Sequence, residues 1–198
     1  MPHESLDNLS WRREDDRGAY LVTTQPSQLD HAFINRAFAS DDMAWARPLP
    51  PDQITTMLAH STTLGLYHTP PPAPPPTTAS SPSSPRTPSP TTASPSPPPR
   101  APPTQIGLAR FVTDHVTLAY LTDVYILPAY RHHGLGKWLV ACGQDVMKQL
   151  PAMRRAMLLA SPGVGTAFYS RELGMWDVGE ERASRVVMTR KAYGGGGA

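Results

Sequence analysis

With 198 residues and a formal net charge of +2, the chain has room for one domain of ordinary size, and its charge is too small to argue for a nucleic-acid partner. A single cysteine, Cys142, excludes an intrachain disulfide and any cysteine-built zinc cluster. No apolar run approaches membrane-spanning length and MPHESLDNLSWRREDDRG has no apolar core, so the expectation is a soluble intracellular, cytoplasmic protein without a membrane partner.

Residues 1–18 read as a polar N-terminal segment, with RRED mixed in sign and solvated. AYLVTT, from Ala19 to Thr24, has the character of a strand entering a core. PSQLDHAFINRAF sets Leu29, Phe33, Ile34, Ala37 and Phe38 near helical spacing, with Ser27 as the expected N-cap. PPDQITTMLAH repeats that spacing with Ile54, Met57 and Leu58 behind Asp52, and predicts a second short helix. Strand character resumes from Thr63 to His68.

A proline tract follows. Sixteen of the 24 prolines fall between Pro70 and Pro103, where large apolar residues are almost absent. Proline removes the donors that helix and sheet both need, so residues 69–104 are expected to be a disordered or polyproline-II-like insertion. QIGLARFVT, from Gln105 to Thr113, is strand-like on the far side, so the tract lengthens a connection between two neighbouring strands at small entropic cost. VTLAYLTDVYILP, GLGKWLVACGQDVMKQL, RAMLLAS, GVGTAFYSREL and SRVVMTRK then read strand, helix, strand, helix, strand. The order predicts a mixed α/β sheet with helices on both faces over residues 19–193, ending in a flexible glycine tail at 194–198.

YRHHGLGKW, residues 130–138, carries the chemistry. The adjacent His132 and His133 point in different directions on a helix or a strand, and no HExxH or paired CxxC accompanies them, so no metal is expected. A nucleotide-hydrolase phosphate loop needs Ser or Thr after Gly136-Lys137, where Trp138 stands, and Leu139 occupies the place of the third glycine of GxGxxG. A purely structural strand-to-helix turn is the plainer alternative. Against it, Arg131 stands before glycines that open the backbone N–H groups at the start of a helix, which is where anions bind.

R-x-x-G-x-G after a strand ending in VYILP resembles the acetyl-CoA-binding motif of the GNAT family of N-acetyltransferases, and the order of elements outside the proline tract is similar to that fold. The resemblance implies a GNAT-like acyl-CoA N-acyltransferase fold, mixed α+β, with a mostly antiparallel central sheet. It implies acetyl-CoA as co-substrate, with its pyrophosphate against the N–H groups of His132, His133, Gly134, Leu135, Gly136 and Lys137, and Arg131 anchoring the loop. It implies a pantetheine arm beside the backbone of Tyr125, Ile126 and Leu127, with an N–H near Ile126 polarising the thioester carbonyl. Transfer needs a neutral amine, although an alkyl ammonium has a pKa of about 10.4 in water. Asp123 matches an acidic position of related enzymes, as a base or as a carboxylate that ties down the loop. TAFYSRELGM resembles the helix that supplies the acid to the departing thiolate, which makes Tyr169 the donor. Gly174 stands five residues on where four is usual, so a helical bulge, or Ser170 as the acid, stays open. Cys142 lies on the apolar stripe of its helix and reads as core.

The implied activity is acetyl transfer from acetyl-CoA to a primary amine of a small molecule or peptide, entering beside the first two helices and Trp176. The alternative is an interaction protein that keeps the fold without turnover. Its motive is PxxP spacing with an arginine in PSPPPRAPP, a ligand pattern for a proline-recognition partner through residues 70–103.

Overall fold

The computed structural model describes residues 6–71 and 101–178, and within them one six-stranded sheet runs in chain order. Its strands are β1 (Ser10–Asp15), β2 (Gly18–Thr23), β3 (Thr62–Thr69), β4 (Thr104–Thr113), β5 (Leu118–Ile126) and β6 (Arg155–Leu158). Neighbours are antiparallel from β1 to β5, and only β5 and β6 run parallel. The helices are α1 (His31–Phe38), α2 (Pro51–Ala59), α3 (Leu135–Lys148) and α4 (Val164–Leu173). β3 and β4, on either side of the proline tract, are antiparallel neighbours. Most of that tract, the SRVVMTRK segment and the glycine tail lie outside the described residues. None of the helices described is long and apolar enough to cross a membrane.

Each face of the sheet buries its own apolar stripe. Phe33, Ile34, Ala37 and Phe38 of α1 and Ile54 and Leu58 of α2 close over Leu108 and Tyr125 on one side. On the other, Leu135, Leu139, Cys142 and Val146 of α3 pack on Leu64, Ile106, Phe111 and Leu121. The period-2 alternation of the central strands sends their side chains to both cores, as a two-layer cover requires.

Two local expectations are corrected. Residues 10–15 of the supposed polar segment form an edge strand, paired with β2 from Ser10–Thr23 to Asp15–Gly18. Only Trp11 and Arg13 are partly covered, so backbone pairing holds the strand and its side chains carry almost no apolar pattern. The N-cap of α1 is Asp30, whose carboxylate accepts the Phe33 N–H at 3.0 Å, because Pro26–Gln28 turn in a separate 3-10 helix and take Ser27 away from the helix start.

Candidate active site

The sheet opens at β5. β6 pairs with it only from Leu118–Arg155 to Leu121–Leu158, so beyond Leu121 the outer edge of β5 has no strand partner among the described residues. A bulge sits at the opening. Arg110 faces Thr122 and Leu108 faces Tyr125, which leaves Asp123 and Val124 opposite the single residue Ala109. Asp123 takes a left-handed conformation there, with φ of 50°. The Leu127 N–H turns inward to Ile106 O at 2.9 Å, so the adjoining Ile126 N–H and C=O project toward the open edge.

Asp123 is buried and well supplied with donors. Arg110 Nε donates to its Oδ2 at 2.7 Å, while Thr122 Oγ1 and Trp45 Nε1 reach its Oδ1 at 3.2 and 3.3 Å. Arg110, on β4, and Trp45, on the segment between α1 and α2, carry no sequence signal for this role. The meeting of Arg110 with Asp123 depends on the cross-strand register that the bulge sets.

The side chains of Tyr125, Ile126 and Leu127 are committed to packing. Tyr125 meets Phe33 at a ring-centroid distance of 6.3 Å, Ile126 joins the α3 core and Leu127 touches both cores. The strand therefore offers its open edge as backbone only.

After a 3-10 turn at Pro128–Tyr130 the chain reaches the glycine turn. Arg131 is held at three points: Nε donates to Ile126 O at 2.8 Å, Nη2 to Asp42 Oδ2 at 2.7 Å, and the guanidinium stacks over Tyr125 at 5.6 Å. Asp42 is thus a loop clamp, and the hydrogen bond from Arg131 holds its carboxyl below the usual range. His132 and Gly134 are left-handed, with φ of 65° and 73°, whereas Gly136 is already inside the helix. Alternating handedness of this kind turns successive N–H groups toward one concavity. Gly134 is the N-cap of α3 and provides no side-chain cap, so the first-turn N–H groups of Leu135, Gly136 and Lys137 have no intrahelical acceptor. A Cβ on Gly136 would meet only the Ile126 Cδ1 atom at 3.7 Å, an ordinary contact, so the protein's own packing does not require glycine there. The Leu135 side chain is buried in the core, and the Lys137 ammonium pairs with Glu172 of α4 at 3.3 Å.

α4 is regular from Val164 to Leu173 and has no bulge. The extra residue before Gly174 lengthens the last turn, which Gly174 closes in a left-handed cap with its N–H on Ser170 O. Ser170 Oγ donates to Met175 O at 2.7 Å and is occupied at that cap. Tyr169 packs against the α3 core with its ring edge-on to Phe168, and burial raises its pKa above the ordinary phenol value. Among the described residues its hydroxyl has no hydrogen-bond partner.

A curled, mostly antiparallel sheet that opens beside a bulge and feeds a glycine turn and helix is the GNAT architecture. Residues 103–175 match the Acetyltransferase (GNAT) family. A candidate acetyltransferase of Gibberella zeae is 33% identical over 173 residues, covering 87% of this chain and 88% of that one. The fold also matches the crystal structure of a candidate GNAT acetyltransferase from Xanthomonas campestris pv. campestris, with 24% identity, a TM-score of 0.56 and coverage of 85% and 93%. The chain belongs to the GNAT family of acetyltransferases.

Proposed function

We propose that the protein is an acetyl-CoA-dependent N-acetyltransferase that acetylates a primary amine of a small molecule or peptide. One observation carries this reading: the edge of β5 beyond Leu121, without a strand partner among the described residues, leads through the glycine turn to the N-terminus of α3, where Gly134 supplies no side-chain cap. The residues fit an extended, phosphate-bearing acyl carrier. Gly136 leaves open a space that a methyl group would occupy, without any packing need of the chain itself.

When bound, acetyl-CoA supplies an acetyl group activated as a thioester. The N–H groups of the turn from His132 to Lys137 hold phosphate oxygens, aided by the dipole of α3. Arg131 fixes the turn, with Nε on Ile126 O and Nη2 on the Asp42 carboxylate. The Ile126 N–H, aimed at the open edge, donates to the carbonyl oxygen where negative charge develops. Tyr169 stays protonated at neutral pH and gives its proton to the leaving sulfur. Asp123 acts as a positioning residue: its contacts with Arg110, Thr122 and Trp45 hold the bulge that opens the sheet. Transfer would form the C–N bond to the acetyl carbon as the C–S bond breaks, with water taking the proton of the amine before the attack.

The test is thiol release from acetyl-CoA across a panel of polyamines, amino sugars, arylamines and peptides. Release above the amine-free rate supports the proposal. A protein that binds the coenzyme and acetylates no amine would favour an interaction role instead.

A further inference from the structure

Arg13 lies on β1, outside the residues 103–175 that match the family. Its Nη1 atom stands 3.7 Å from where a Cβ on Gly134 would sit, which brings a guanidinium up against the left-handed glycine that opens α3. The edge strand explains the placement. Trp11 and Arg13 share the partly covered face of β1, and the Trp11 indole N–H bonds Asp145 Oδ2 of α3 at 3.2 Å, so this face looks onto that helix. Asp15 is 3.9 Å from Arg13, at the outer limit of an ion pair, and the Arg13 side chain keeps 38% of its surface exposed. A pair so long and so exposed holds a guanidinium weakly, which leaves most of its five donors available among the described residues.

We propose that Arg13 is a phosphate-contacting residue: its planar fork joins the uncapped N–H groups of α3 in binding phosphate oxygens of the coenzyme. The inference rests on the acetyl-CoA reading above and adds to it the edge strand as part of the cofactor site. A guanidinium beside a helix N-terminus favours a phosphate over a neutral portion of the ligand, since each contributes positive potential. The pantetheine portion, which carries no phosphate, has nothing to gain from Arg13.

The experiment compares CoA with pantetheine, each displacing a labelled CoA, on the full chain and on Arg13→Gln, Arg13→Lys and Arg12→Gln. Loss of a charge-assisted contact predicts that Arg13→Gln weakens CoA about tenfold and leaves pantetheine unchanged. Arg13→Lys should recover part of the loss, and Arg12→Gln, on the opposite face of the strand, should match the unmodified chain. Equal weakening of both ligands, no weakening of CoA, or an equal loss in Arg12→Gln would overturn the assignment. An unmodified chain that binds no CoA would sink the acetyl-CoA reading and this inference together.

Discussion

Gly136→Ala separates a glycine kept for a ligand from one kept for the fold, because the two roles predict changes of opposite sign. Gly136 has ordinary helical geometry, and the added Cβ meets only Ile126 Cδ1, at 3.7 Å. Replacing glycine by alanine inside a helix therefore stabilises the chain, by about 0.5 kcal/mol near the helix end. For a protein of this size that raises the melting temperature by about 1–2 °C. The same methyl group stands where a phosphate would approach the first-turn N–H groups. Loss of one hydrogen bond to a charged group is about 1.5–3 kcal/mol, or about 10- to 100-fold in affinity. Scanning calorimetry and acetyl-CoA titration on the same preparation read both changes. A lower melting temperature, or an unchanged affinity, would refute the cradle. Gly134→Ala lacks this power, since a φ of 73° penalises any side chain and folding and binding fall together.

Three further outcomes follow from the same geometry. Tyr169→Phe should lower kcat at least tenfold, in line with the usual contribution of a general acid, while leaving acetyl-CoA affinity unchanged; an unchanged kcat removes Tyr169 from the mechanism. Asp123→Asn should cost about 3 kcal/mol of stability by stranding the Arg110 guanidinium, and Arg110→Met in the same chain should restore most of it. A stable Asp123→Asn protein that loses only kcat would make Asp123 the base. The Cys142 thiol is buried, and burial pushes its pKa up to about 12, so a thiol reagent at pH 8 should label it only on unfolding. Labelling of the native chain would contradict its place in the core.

Much of this was legible where the signal is local. The turn of residues 130–138 could be recognised because glycine, a following helix and a preceding strand are written within a few positions of one another. The two helical stripes and the strand–helix order after residue 104 follow from apolar periodicity in the same way. Contacts made across the fold were not legible. Asp123 meets Arg110 only through a bulge that shifts register, and Asp42 meets Arg131 across 89 residues of chain. The edge strand β1 is held by backbone pairing, so its polar side chains disguise it. His132 shares the left-handed geometry of Gly134, while Gly136 does not need it. A histidine does not advertise a positive φ, and a ligand-driven glycine looks the same in sequence as a conformational one.

The central claim, that the open edge of β5 and the turn after it form an acyl-CoA site, is tested most directly by calorimetric titration of the full chain with acetyl-CoA. Saturable binding of one equivalent, abolished by excess CoA, is the expected result. Heats indistinguishable from dilution would contradict it.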